Sequence, residues 1–331
     1  MKLIRTEEAA GHVLCHDLTQ IVRGVTKDAI FRKGHVVREE DIPVLLSIGK
    51  EHLYVWEKDE SMLHEDEAAE ILREICQSEH MKATAPKEGK ISLQAECAGV
   101  LKINREKLVA VNSLGEMMIA TKRGDTLIKK EQVFAGMRVI PLVISKEKMA
   151  EARAAAGDEP ILKLLPLKPK KAAILATGSE IFKGRIEDTF TPVVMDKLTE
   201  LGASVTDHRI LDDDADKTTA AILEEVKSGA ELVCVTGGMS VDPDDKTPLA
   251  IKNTGADIIT YGAPVLPGAM FLLSYLKWED GAGSRTVPVV GLPGCVMYAK
   301  RTIFDLVLPR LLADDPVTAA ELASLGEGGL L

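Results

Sequence analysis

The chain has 331 residues, enough for two or three domains, and at 46% hydrophobic and 28% charged it has the balance of a globular protein. Its formal net charge is -10 and aromatics make up only 4%, which argues against a basic, base-stacking surface and so against nucleic-acid binding. No apolar run reaches the roughly 20 residues of a membrane span, and five scattered cysteines with no Cys-x-x-Cys pair indicate neither a disulfide framework nor a zinc site.

The first residues, "MKLIRTEEAAGHVLCHD", hold no apolar core of signal-peptide length, so a cytoplasmic chain with reduced thiols is expected. Residues 1–60 read as mixed α/β. "GHVLCHDLTQIV" suggests a strand, "REEDIPVLLSIGK" a helix running from an acidic start to Gly49, and "HLYVWE" a short strand. His12, Cys15 and His16 lie close together but have no apparent fourth ligand, and they read as a segment beside a strand.

Residues 61–157 read as a helix plus a small β subdomain. "MLHEDEAAEILREICQSEH" is an amphipathic helix. Five β segments follow, "GVLKIN", "LVAVNS", "EMMIAT", "TLIKK" and "RVIPLVI", punctuated by glycines. "KEKMAEARAAAG" is a helix ending at Gly157, and "DEPILKLLPLKPKK", with three prolines and four lysines, reads as an interdomain connection.

From residue 172 to 313 strands and helices alternate. The strands are "AAILAT", "SVTDHRIL", "ELVCVT", "DIITYGAPV" and "TVPVVGL". The helices are "TFTPVVMDKLTELG", "DKTTAAILEEVKSG", "TPLAIKNTG", a short "GAMFLLSYLK" and a long "MYAKRTIFDLVLPRLLA". This order predicts an α/β domain, a three-layer, mostly parallel sheet covered on both faces, joined to an N-terminal α+β, β-rich region. Residues 314–331 read as a frayed tail.

In open α/β sheets ligands bind beyond the carboxyl ends of the strands. Here those ends carry "ATGSE", "LDDDAD", "TGGMSVDPDD" and "GLPG". Glycines let the backbone turn tightly or approach a ligand, and free N–H groups at such turns favour anions. Acids beside those donors fit a divalent cation that joins an anion to the protein. Asp213, Asp214 and Asp216 also read as helix caps and first-turn acids, and Asp212 and Asp216 are assigned to that role.

The marks "TGSEI", "GRIEDT", "ILDDDA", "TGGMSVDPDDKTP" and "VVGLPG" resemble, in order and spacing, the molybdopterin-binding domain of molybdenum-cofactor biosynthesis proteins. "GLPG" and the N-terminal segment resemble its MoeA/gephyrin branch, the molybdopterin molybdenumtransferases. The resemblance implies an enzyme that binds molybdopterin or adenylyl-molybdopterin and inserts molybdate with Mg2+, working as a homodimer. It implies Asp245, Asp213, Glu180 and Asp188 as catalytic acids, with Asp245 and Asp213 handling metal. It implies a ligand cradle of Thr177, Gly178, Ser179, Thr236, Gly237, Gly238, Ser240, Pro267, Gly268, Gly291, Pro293 and Gly294.

Four departures stand out. Ser179 replaces an acid of the first loop, "GLPG" continues with Cys295-Val296, the family's "DGYA" mark is missing, and Leu266 and Ala269 replace the lysines that flank Pro-Gly. Lys183, Arg185 and Lys246 are the cations that could compensate. The departures keep a second reading open, a noncatalytic pterin carrier or sensor. A third is a nucleotide pyrophosphatase, because "GGMSVDPDDKTPLAI" also resembles the CinA-type domain.

Overall fold

The computed structural model describes residues 2–22, 26–55, 60–240, 242, 245–281 and 283–330. Val241, Pro243 and Asp244 of the acidic loop, and Trp56 and Glu57 of the strand expected at "HLYVWE", lie outside the described residues. The chain divides into two compact units, one comprising residues up to Glu96 with Lys102–Arg123 and Lys130–Leu164, the other Cys97–Leu101, Gly124–Lys129 and everything from Leu165. Two short β segments that the sequence placed in a 61–157 subdomain therefore group with the second unit, where Thr126–Ile128 pairs antiparallel with Gly99–Leu101.

In the first unit Lys2–Arg5 pairs with His52–Val55, and Leu18–Val22 with Thr26–Phe31. Their core gathers Leu14, Phe31, Leu45 and Leu53. The amphipathic segment begins as a strand, Met62–His64, and turns helical only over Glu65–Cys76. The His64 ring accepts from the Asp66 N–H, and Glu67 accepts from the His64 N–H, so the two ends cap each other. This helix packs on a four-stranded antiparallel sheet of Met81–Ala83, Lys90–Ala95, Val133–Val139 and Met117–Thr121, in that order. "LVAVNS" is not a strand: Arg105–Asn112 is a helix started by Asn104, whose side chain accepts from the Lys107 N–H at 3.1 Å. Its apolar residues resembled a strand because the stretch is too short to show a helical period.

The second unit holds β1 (Lys171–Thr177), β2 (Ser204–Leu211), β3 (Leu232–Thr236), β4 (Asp257–Tyr261), β5 (Leu272–Asp280) and β6 (Gly283–Leu292). The order across the sheet is β2-β1-β3-β6-β5-β4. The first four strands in that order run parallel, β5 runs antiparallel to β6, and β4, antiparallel to β5, points the same way as the first four. Helices α1 (Ser179–Phe182), α2 (Phe190–Glu200), α3 (Ala215–Lys227), α4 (Thr247–Asn253), α5 (Ile303–Leu312) and α6 (Ala319–Ser324) complete it.

Alternate strand residues face opposite layers. Ala172, Ile174 and Cys234 pack with α2 and α5, while Ala173, Leu175 and Val235 pack with α3 and α4. Of these, the larger side chains Ile174, Leu175 and Val235 each contribute roughly 1.5–3 kcal/mol. The helix expected at "GAMFLLSYLK" is β5 instead. Phe271 and Leu273 enter one core layer and Leu272 and Leu276 the other, and a strand buried on both faces has lost its polar alternation. The predicted frayed tail is ordered. Val317 and Leu322 are buried in the α2/α5 layer, and Arg310 pairs with Glu321 at 2.9 Å.

Candidate functional site

The parallel strands end level with one another. Thr177 lies opposite Leu211, Ala176 opposite Thr236, and Thr236 opposite Leu292. Thr177 is buried, and its hydroxyl donates to the Thr236 carbonyl at 3.1 Å and sits 3.2 Å from the Thr247 hydroxyl. One side chain thus ties the ends of β1 and β3 to the first turn of α4.

The chain leaves β3 through Gly237 and Gly238, both left-handed at φ +83° and +54°. A Cβ on Gly237 would overlap the Thr177 carbonyl oxygen, and one on Gly238 would stand 2.9 Å from the Thr247 hydroxyl oxygen. Among the described residues no partner is found for the N–H of either glycine, which leaves two donors for an anion. Farther along, one Asp245 carboxylate oxygen accepts from the Ser240 N–H at 2.8 Å, and the Asp245 N–H donates to the Asp242 carbonyl at 2.9 Å. Tyr261, at the end of edge strand β4, donates its hydroxyl to the Met239 carbonyl at 3.0 Å and so fastens this loop. Burial raises its pKa, and the Asp245 charge raises it further. Sequence reasoning missed Tyr261; its only signal was an aromatic polar group closing a strand at the functional edge.

The loop after β1 is built by acids from the loop after β2. The Ser179 N–H donates to Asp213 at 2.8 Å, and the Ser179 hydroxyl to Asp212 at 2.6 Å. The Ser179 hydroxyl and then the Asp213 N–H hold the Asp212 carboxyl below the usual carboxylate range. Asp212, expected to be a capping acid, instead joins two loops; the cap of α3 is Asp214, which accepts from the N–H groups of Asp216 and Lys217. Asp188 is fully engaged at the start of α2, accepting from the Phe190 and Thr191 N–H groups at 2.9 and 3.0 Å and from the Thr191 hydroxyl at 2.5 Å. Its carboxylate is a helix cap. Glu180 is exposed beside Gly178, whose own N–H donates to the Leu211 carbonyl.

The remaining cradle positions split. A Cβ on Gly268 would overlap Ile303 at the head of α5, and one on Gly291 would come within 2.5 Å of the Met239 sulfur. At both positions a glycine is required by the protein's own packing. Pro293 is buried, whereas Gly294 is exposed with open space around its Cα. The carbonyl of Pro267 accepts from the Ile303 N–H at 3.2 Å. Leu266 and Ala269 are exposed and uncharged; Lys183, Arg185 and Lys246 are exposed cations that make no ion pair among the described residues.

The described residues contain no group of three or more His, Cys, Asp or Glu that could hold a metal ion. That applies to His12, Cys15 and His16, and to Asp213 and Asp245. A Mg2+ ion held by one or two carboxylates together with a ligand phosphate and water needs no such group, and Asp213 and Asp245 each offer a second oxygen.

Residues 173–313 match the family model described as a probable molybdopterin binding domain, and residues 3–57 match a domain of unknown function. A molybdopterin molybdenumtransferase of Synechococcus elongatus is 22% identical over 221 residues, which is 64% of this chain and 51% of that protein. A CinA-like protein of Anaeromyxobacter dehalogenans is 45% identical over 74 residues, 22% of this chain and 18% of that protein. The matches therefore span about half or less of these relatives' own length. The tungsten cofactor synthesizing protein MoaB of Pyrococcus furiosus shares 23% identity over 44% of this chain and 89% of that one, at a TM-score of 0.34, too slight a likeness to bear on the fold. Over residues 173–313 the chain is thus similar to the molybdopterin-binding domains of molybdenum-cofactor-biosynthesis proteins.

Proposed function

We propose that the second unit binds molybdopterin or its adenylate over the carboxyl ends of β1, β3 and β6 and takes part in molybdate insertion with Mg2+. The observation that carries this reading is the Gly237-Gly238 turn, with its two open N–H groups and with Asp245 tied back to Ser240 beside it. Phosphate groups of the ligand meet the open donors. Asp245 and Asp213 would hold Mg2+, which when bound would supply positive charge against phosphate and molybdate. This chain's own task is positioning: Ser179 and Ser240 orient the two carboxylates, Tyr261 fixes the loop carbonyl, and Thr177 fixes the strand ends. Glu180 is an exposed acid beside the first loop. Asp188 has no part in the chemistry on this reading. A cytoplasmic homodimer is the form proposed.

A second reading, a pterin carrier without turnover, draws on one observation. Exposed Leu266 and Ala269 leave the Pro267-Gly268 rim without cations. The 45% identity to a CinA-like protein over 74 residues supports a third, a phosphate-bond hydrolase on the same strand ends.

One experiment separates them. Protein purified from a pterin-producing cell should release a ligand with a pterin's mass and absorbance, and protein loaded with adenylyl-molybdopterin should then insert molybdenum when given molybdate and Mg2+, with release of AMP. Release without insertion favours the carrier. Release of no pterin, with hydrolysis of a nucleotide diphosphate instead, would overturn the pterin reading altogether.

A further inference from the structure

The four-stranded sheet of the first unit has one face on helix Glu65–Cys76 and the other face open among the described residues. The covered face carries Ile91, Met137 and Ile119, paired directly across three strands and all buried. The open face holds a groove of about 490 Å³, within the range of small-molecule sites.

Its rows follow from the register. Arg138 lies between Lys90 and Met118, and Gly136 between Ser92 and Ala120. Lys122, whose N–H donates to the Phe134 carbonyl, closes the far end. The groove therefore has a floor of three small residues, two cations, Lys90 and Arg138, at one end and a third, Lys122, at the other. No acid lines it. The side chains of Lys90, Lys122 and Arg138 make no ion pair or hydrogen bond among the described residues. Three cations on one acid-free face stand out in a chain of net charge -10.

Two further features narrow the occupant. Edge strand Met117–Thr121 is not open for strand addition, because the Asn112 side chain both accepts from the Ile119 N–H at 2.8 Å and donates to the Ile119 carbonyl at 2.9 Å. The small floor, bounded by Met118 at 40% exposure and Val133 at 52%, accepts a flat apolar body laid against the backbone.

We propose that this face binds a small planar organic anion, an aryl phosphate in chemical class, with the ring over Ser92, Gly136 and Ala120 and the anionic group on Lys90 and Arg138. The site is distinct from the strand-end site of the second unit and does not depend on the pterin reading. Charge complementarity chooses the anion, and the covered edge disfavours an extended peptide.

The test uses the full chain and 1-naphthyl phosphate, with 1-naphthol and inorganic phosphate as probes of the two halves of the ligand. Calorimetry at low salt should give a Kd below about 1 mM for naphthyl phosphate, at least about tenfold tighter than for either half, and weaker with added salt. Lys90→Gln should weaken it about tenfold. Arg138 also feels the buried Glu65 carboxyl, so Lys90 is the cleaner variant. Gly136→Leu should abolish binding by filling the floor. A Cβ there has only ordinary neighbours, the Ile91 carbonyl oxygen and Ser92 hydroxyl oxygen at 3.8 Å and the Lys90 Cε at 4.0 Å, so the fold should hold. Ala120→Leu, at an exposed position, repeats the test if it does not. Gly238→Val should leave this binding unchanged. The proposal is overturned by a Kd above about 10 mM, by floor and lysine variants that bind like the parent, by inorganic phosphate binding as tightly as the aryl ester, or by a polyglutamate peptide displacing the probe while the edge stays covered.

Discussion

Gly237 lies against the carbonyl of Thr177, so close that a Cβ would overlap its oxygen, and it holds φ at +83°. Both facts concern the protein's own backbone, so a glycine is needed here with or without a ligand. Gly237→Ala should lose roughly 2–4 kcal/mol of stability, the sum of a left-handed alanine and an overpacked neighbour. Gly294→Ala, in open space at the same rim, should leave the melt unchanged. Denaturant titration of the two variants checks both. An unchanged midpoint for Gly237→Ala would mean that the turn moves freely, and the tied strand ends would lose their role.

Asp188 accepts three hydrogen bonds from the first turn of α2. Asp188→Ala should cost about 1 kcal/mol, the usual loss on removing a helix cap. Pterin affinity and the rate of metal insertion should stay close to the parent's. A large fall in insertion rate with an unchanged melting temperature would restore it to the catalytic set.

The parallel core of the second unit was legible because β1 and β3 are short apolar runs closed by glycine, and because strands alternate with helices along the chain. "AAILAT" and "ELVCVT" are β1 and β3 to within a residue or two. What failed has one physical source. β5 is buried on both faces, and Arg105–Asn112 is barely two turns long, so neither shows the period that distinguishes strand from helix. In the site, glycines were legible as special but not the reason for each. Gly268 and Gly291 are filled by Ile303 and Met239 from distant sequence, and spacing alone could not show that. Tyr261 escaped notice because its bond to the Met239 carbonyl exists only once β4 joins the sheet edge.

Glu65 supplies a pH test. It is 7% exposed at the first position of its helix, and burial, with Asp66 and Glu88 adding to it against Arg138 and Lys33, pushes its pKa from 4.5 up to about 7. The folded state therefore keeps a proton that the unfolded state gives up. The stability this provides is complete below pH 4.5 and is lost as the pH rises through about 7. Glu65→Gln cannot titrate. Its stability relative to the parent should rise across that window by on the order of 2–3 kcal/mol. Urea titrations of both proteins at pH 5 and pH 8 read the difference, and equal gaps at the two values would exclude a proton on Glu65.

Asp245 is held by the Ser240 N–H through one oxygen while the other remains for a ligand, and it lies just ahead of α4. If it only balanced the helix start it would be worth about 0.3–1 kcal/mol. As a metal- or molybdate-handling group it acts on turnover, so its loss should lower rate far more than stability. Asp245→Asn keeps the shape and an oxygen able to accept from Ser240, and removes the charge. Melting and pterin binding should stay near the parent's, while molybdenum insertion should fall by about a hundredfold or more. Tyr261→Phe, which frees the Met239 carbonyl but leaves Asp245 charged, should lower the rate less and raise the substrate KM, because it loosens the loop without removing the group. If Asp245→Asn inserts metal as fast as the parent, the acid is structural. If the parent itself inserts none where a known molybdenumtransferase does, the neutral rim at Leu266 and Ala269 becomes the cause to test, and Leu266→Lys with Ala269→Lys should then raise activity from nothing.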